Sequence, residues 1–158
     1  KWFINLFGIH LFPTLIVNLC LFPLYFYFIE NSADVSSLDY LICLFTLSMV
    51  FLEQISDEQM HIFKANIENK GKTMNEGLWK YSRHPNYLGE VGFWFGLCGF
   101  GLIGSDGSIL LLICPIAMLL MFMFASIPMM DNRSLENRPD YADYMKKTSS
   151  LMLFPSKK

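Results

Sequence analysis

Residues 77–96 read GLWKYSRHPNYLGEVGFWFG, a basic turn that runs straight into apolar sequence. Pro85 disfavours helical geometry at His84 and suits the first turn of a helix, so a helix is predicted to start at "HPNY" and to run to about Ile103. A hydrocarbon core of about 30 Å asks for about 20 apolar residues at about 1.5 Å each, and this helix is long enough to cross it. Asn86 and Glu90 stand at i and i+4, on one face of that helix. A carboxylate at this depth must face protein or a water-filled cavity. It is either a functional group or a hydrogen bond that pins the helix to a neighbour.

Working outward, 53% of the 158 residues are hydrophobic and 16% are aromatic, a composition unlike that of an ordinary soluble domain. Three further segments have the length and hydropathy of membrane spans: Phe3 to Ile29, interrupted by Pro13 and Pro23, then Leu38 to Ile55, then Ser108 to Ile127, stopped by Pro128. The fold class expected is an all-α polytopic membrane protein with about four transmembrane helices, a cytoplasmic-side amphipathic segment and a C-terminal cap. The chain opens at Lys1 in membrane-like sequence without a methionine, and its start is expected to be missing or processed.

The formal net charge of −2 says little; its placement says more. Every Lys and Arg falls at the amino end, between spans two and three, or after span four. The other two connections hold only Glu30, Asp34 and Asp39 in one and Asp106 in the other. The basic side is expected to face the cytoplasm or the equivalent organelle compartment, with both termini inside. Within the inside connection, Glu53 to His84, apolar Ile55, Met60, Ile62, Phe63 and Ile67 recur among charges. Span two is therefore expected to continue as an amphipathic helix closed by "NKGK", with Gly71 as its cap. Met129 to Lys158 reads as the cap.

"GFGLIG", Gly99 to Gly104, matches the dinucleotide fingerprint by spelling alone, since that fingerprint follows a strand and opens a helix. Here it lies at the end of a membrane helix, and close helix packing is the better reading, as for Gly92 and Gly96. Asn132-Arg133-Ser134 matches a glycosylation sequon on the wrong side of the membrane. Cys20, Cys43, Cys98 and Cys114 lie singly in apolar runs, which excludes a zinc motif and points to buried small hydrophobes. The first turn at "HPNY", with Lys72, Lys80, Arg83 and His84 nearby, makes an anion site for which phosphate is the natural ligand.

"GLWKYSRHPNYLGE" resembles the signature of the steroid 5-alpha-reductase-like membrane proteins, in the branch carrying the C-terminal steroid-reductase domain. "SD" at Ser56-Asp57, "NKGK" at Asn69 to Lys72 and "IPMMDNRSLENRPDYADYMKKTS" from Ile127 to Ser149 agree with it. The similarity covers about Glu53 to Pro155. By hydropathy, residues 1–52 are expected to hold two N-terminal transmembrane helices; the resemblance implies a cofactor domain with two transmembrane helices in 53–158. It also implies NADPH-dependent reduction of a carbon-carbon double bond conjugated to a carbonyl in a lipid or steroid-like enone. Carried over by position, the cofactor-binding residues are Asp57, Lys64, Lys72, Arg83, His84, Asn86, Tyr87 and Glu90, and Arg138 is added to them as a further cation for the phosphates. Lys64 and Lys72 stand where steroid reductases tend to have arginine, and Arg83, His84 and Tyr87 belong to this branch's version of the motif.

The sequence departs from the pattern at Glu53, where steroid reductases carry an amide, and at Asp131 and Ser134, which replace a histidine and a tyrosine. The groups that polarise the substrate carbonyl come in the family from earlier helices, so no catalytic residue is assigned here. Two other functions compete. An isoprenylcysteine-type methyltransferase shares the "HPxYxG" helix start and uses S-adenosylmethionine. A catalytically inactive relative would serve as a structural subunit of a larger membrane complex. The partners expected are membrane lipids, a lipid-like substrate and possible membrane subunits, with no nucleic acid and no metal. The endoplasmic reticulum or another endomembrane is the expected location, with the mitochondrial inner membrane as the alternative.

Overall fold

A computed structural model describes residues 11–30, 34–105 and 107–155. The beginning of the first expected span, from Phe3, lies outside the described residues, as does Asp106. The described chain is helical, with six α-helices: α1 Phe12–Tyr25, α2 Ser37–Ala65, α3 Pro85–Gly104, α4 Ile113–Met121, α5 Ile127–Asn137 and α6 Tyr141–Lys147. Extended pairing among the described residues amounts to one isolated bridge between Ser82 and Ser149. Three helical stretches are long and apolar enough to cross a membrane: Ser37–Ala65, Pro85–Gly104 and Ile109–Asn137. Pro13–Ile29 is a shorter apolar helix. The chain is thus an all-α polytopic membrane protein.

The helix ends follow local chemistry. Ser36 opens α2, and the Asp39 carboxylate accepts hydrogen bonds from the Ser36 amide at 2.8 Å and hydroxyl at 2.6 Å, which closes the first turn in the manner of a capping box. From there α2 runs 29 residues without a break, so the second span and its amphipathic extension are one helix. Gly71 takes a left-handed φ of 77°, but it follows the short 3-10 turn Ile67–Asn69, which intervenes after α2 ends at Ala65.

Pro128 does not stop the last span. A π turn, Phe122–Ser126, precedes it and starts a new helical register, which places Pro128 in the first turn of α5, where its missing N–H is not needed. Helix therefore continues to Asn137, ten residues beyond the expected end at Ile127 (137 − 127). Pro13 likewise sits in the first turn of α1, while Pro23 lies inside it and is followed by a second π turn, Phe26–Glu30.

The described residues pack as two compact units. One comprises those up to Leu47 together with Val91–Leu119; the other comprises Ser48–Glu90 and those from Leu120 onward. The sequence boundary at residue 53 falls within α2, inside the second unit.

In the first unit glycines set the helix separations. A Cβ on Gly96 would collide with the Thr46 hydroxyl, one on Gly99 would press on Ile42 at 3.2 Å, and one on Gly101 would lie 2.7 Å from the Pro23 Cα. The apparent dinucleotide fingerprint is accordingly a packing surface. Cys20 and Cys98 are buried there, Cys43 is exposed and all four thiols are free. The outward side of α2 shows Leu38, Leu41, Leu44 and Phe45, as a helix in contact with lipid should.

Candidate functional site

The candidate site lies in the second unit. Gly89 brings α3 against α2: a Cβ there would stand 2.7 Å from the Glu53 amide nitrogen and 2.8 Å from the Met49 carbonyl oxygen. With the backbones this close, Glu90 comes within electrostatic range of Glu53, and Asp57 lies one turn further along α2.

The connection between the helices is fastened residue by residue. Trp79 Nε1 donates to the Ser56 carbonyl at 3.0 Å, and the Leu78 amide donates to Gln59 Oε1 at 2.9 Å, beside Gly77 with its φ of 55°. On the other side the Thr73 hydroxyl donates to Asp140 at 2.7 Å, and the Ser82 hydroxyl to the Leu151 carbonyl at 2.7 Å. The Tyr144 hydroxyl donates to the Trp79 carbonyl. The loop and the C-terminal cap are therefore one hydrogen-bonded body, and α3 starts from it in a fixed position.

Asp131 on α5 is the hub of that body. Its buried carboxylate accepts from Arg83 Nη2 at 2.8 Å and Nε at 3.4 Å, and from the Tyr141 hydroxyl. It also lies 3.0 Å from His84 Nε2. Arg83 Nη1 donates to the Thr148 and Met145 carbonyls at 2.8 and 3.2 Å. The guanidinium beside the helix start thus has its anion within the protein. Burial pushes the pKa of Tyr141 and of Tyr144 well above the ordinary phenol value, and for Tyr141 the hydrogen bond to Asp131 adds to it.

Beside the hub is a cavity of about 160 Å³. Asp57 and Lys64 reach it from one face of α2, Arg83, His84, Asn86 and Tyr87 from the start of α3, and Arg138 from the turn after α5. His84 and Tyr87 stack with centroids 5.1 Å apart. The Asn86 Oδ1 is buried and accepts no hydrogen bond from the protein, a costly state for an amide oxygen unless something else reaches it. Seven of the nine residues expected at the cofactor site are thereby gathered. Lys72 instead lines an adjoining cleft of about 430 Å³, which shares Met60, Lys64 and Arg138 with the first. Glu90 lines neither.

The cavity also takes in groups that the sequence did not single out for it: Met60, Met74, Trp79, Met130, Ser134, Tyr141 and Tyr144. Tyr141 and Tyr144, three residues apart, share a face of α6, and that spacing was the available signal. Asp131 stood out in the sequence only as a departure.

A sequence model of the family described as "Protein of unknown function (DUF1295)" matches residues 1–148. The chain belongs to this family. An uncharacterised protein of Schizosaccharomyces pombe is 29% identical to this DUF1295 chain over 128 residues, covering 67% of the chain and 37% of the relative. The DUF1295 chain thus spans little more than a third of that relative's length. No solved structure matches it. The signature around "SRHPNYLGE" is, in this DUF1295 member, the segment that links Arg83 and His84 to the hub and Asn86 to the cavity.

Proposed function

We propose that the chain is an NADPH-dependent reductase of a carbon-carbon double bond in a lipid or steroid-like enone, or the cofactor-binding part of one. The observation that carries this reading is the unpartnered Asn86 Oδ1 at the wall of a cavity with cationic neighbours. A carboxamide or ribose hydroxyl of a nicotinamide nucleotide offers the donor that this oxygen lacks. The 160 Å³ cavity suits one ring of such a ligand, and the adjoining cleft, carrying Lys64, Lys70, Lys72 and Arg138, suits its phosphates. The donor set fits the group.

When bound, NADPH would supply the hydride. The part of the protein is to hold and orient. Lys64, Lys72 and Arg138 neutralise phosphate charge, Asn86 fixes the nicotinamide end, and Tyr87 with the stacked His84 forms an apolar wall that keeps water out. Arg83 acts as a positioning residue, because its charge is engaged by Asp131 and by two carbonyls. A lipid substrate is in keeping with the endoplasmic reticulum or another endomembrane, with the mitochondrial inner membrane as the second choice.

Trp79 lines the cavity and supplies the assay. NADPH added to the full-length protein in detergent should quench its fluorescence and sensitise nicotinamide emission. S-adenosylmethionine binding without any response to NADPH would replace this reading with the methyltransferase one.

The engagement of Arg83 and His84 by Asp131 also favours a second reading, a non-catalytic subunit of a membrane assembly in which the hub only fastens the cap. A protein that purifies with other membrane subunits and responds to neither nucleotide supports that alternative.

A further inference from the structure

Two of the nine described Lys and Arg residues of the second unit are neutralised by an ion pair, Arg83 by Asp131 and Lys146 by Asp143. Of the rest, Lys80 and Lys147 line a pocket that also holds Asp140 and Asp143, and five others remain. Among the described residues Lys64, Lys70, Lys72, Arg133 and Arg138 make no ion pair. They line two clefts that meet at Lys64 and Arg138, one of about 430 Å³ and one of about 370 Å³. No carboxylate lines either cleft, although the chain as a whole carries more acids than bases.

The nucleotide reading uses the larger cleft and leaves the smaller one unexplained. The smaller cleft is formed by Met130, Arg133, Ser134 and Asn137 of α5 with Lys64 and Arg138. Its position along α5 decides its occupant. The span Ile109–Asn137 is uncharged until Asp131, so Arg133 lies three residues, about 4.5 Å, past the apolar Met130. That is the depth of the phosphate layer, since headgroups add roughly 5–8 Å to each side of the hydrocarbon. One turn before Arg133 on the same helix, Met129 is 65% exposed, an apolar group that would rest in the acyl boundary while the guanidinium reaches up to the phosphates. Ser134 adds a hydroxyl donor at the wall.

We propose that the cleft around Arg133 binds the phosphate of an anionic phospholipid in the leaflet on the cation-rich side of the protein, held by Lys64, Arg133 and Arg138. The site is independent of the reductase reading in its key residue, Arg133, and touches it through the two shared cations. A lipid bound there would occupy the mouth of the basic clefts from the membrane side.

The test is isothermal titration of the detergent-solubilised full chain with short-chain phosphatidic acid, with phosphatidylcholine of the same chains and with glycerol phosphate. Phosphatidic acid should bind and phosphatidylcholine should bind at least about fivefold more weakly. Arg133→Gln should weaken phosphatidic acid binding about fivefold, the change worth about 1 kcal/mol for one cation at a lipid surface. Lys146→Gln, whose cation is exposed and paired with Asp143, should have no effect. Arg133→Gln should also leave the NADPH response of Trp79 intact, so that failure of the lipid site and failure of the reductase reading are seen separately. If Arg133→Gln does not fold, added salt applied to the unaltered protein must weaken phosphatidic acid binding in its place. Equal affinity for the two lipids, full binding by Arg133→Gln, salt-independent binding, or glycerol phosphate binding as tightly as the lipid would each overturn the proposal, the last by pointing to a free phosphate compound.

Discussion

Asp131→Ala removes the acceptor shared by Arg83, His84 and Tyr141 and leaves the Arg83 guanidinium, whose side chain is 11% exposed, without its carboxylate. Breaking a buried ion pair from one side costs about 3–5 kcal/mol, because the surviving charge keeps its desolvation penalty and loses its compensation. For a chain of this size 1 kcal/mol shifts the melting midpoint by about 2–4 °C, so the expected fall is roughly 6–20 °C. Arg83→Ala should cost a similar amount, since it also releases the Thr148 and Met145 carbonyls that fix the cap. The double variant should cost clearly less than the two single changes added together, because no buried charge is stranded in it. Thermal denaturation in detergent of the four proteins of this cycle measures the coupling. Additivity to within about 0.5 kcal/mol would show that Asp131 and Arg83 act independently, and the hub would have to be abandoned as the element that joins loop, helix start and cap.

Asn86→Ala should weaken NADPH binding about five- to tenfold in the Trp79 fluorescence assay, the worth of about one hydrogen bond to a buried amide oxygen, while unchanged affinity would disconnect Asn86 from the ligand. Gly89→Val should lower thermal stability by about 1–3 kcal/mol, because α2 backbone atoms stand 2.7–2.8 Å from the new Cβ and cannot give way as a flexible side chain would. Alkaline titration tests the buried phenols. With Tyr141 and Tyr144 held protonated in the folded state, the unfolded chain binds fewer protons above a pH of about 10. Stability should then decline as pH rises past that value, and a flat melting profile between about pH 9 and 11 would contradict the burial.

Those parts of the fold governed by local rules were legible in the sequence. Hydropathy and charge placement located the membrane helices, and Pro85 located the start of α3. Pro128 misled, because its effect depends on hydrogen-bond register: a π turn upstream converts a helix stop into a helix start. At the candidate site, Asp57, Lys64, Asn86 and Tyr87, which the resemblance named, line one cavity, whereas the i, i+4 pairing of Asn86 with Glu90 did not carry through, since Glu90 does not line it. The role of Arg83 could not be read in the same way. Its partner lies 48 residues away on α5, and a cation beside a helix start looks the same in sequence whether its anion is a ligand or a distant aspartate.

The π turn at Phe122–Ser126 has a consequence for how this chain tolerates change. An i→i+5 turn takes up one more residue than an α turn while leaving the helix beyond it on nearly the same bearing. Removing one residue from this turn would restore an uninterrupted α-helix and keep Asp131 turned towards Arg83. Removing one between Ile127 and Met130 would instead rotate Asp131 by about 100° around the helix, away from Arg83. The turn thus acts as slack: within it the chain can lose a residue, and just beyond it the chain cannot.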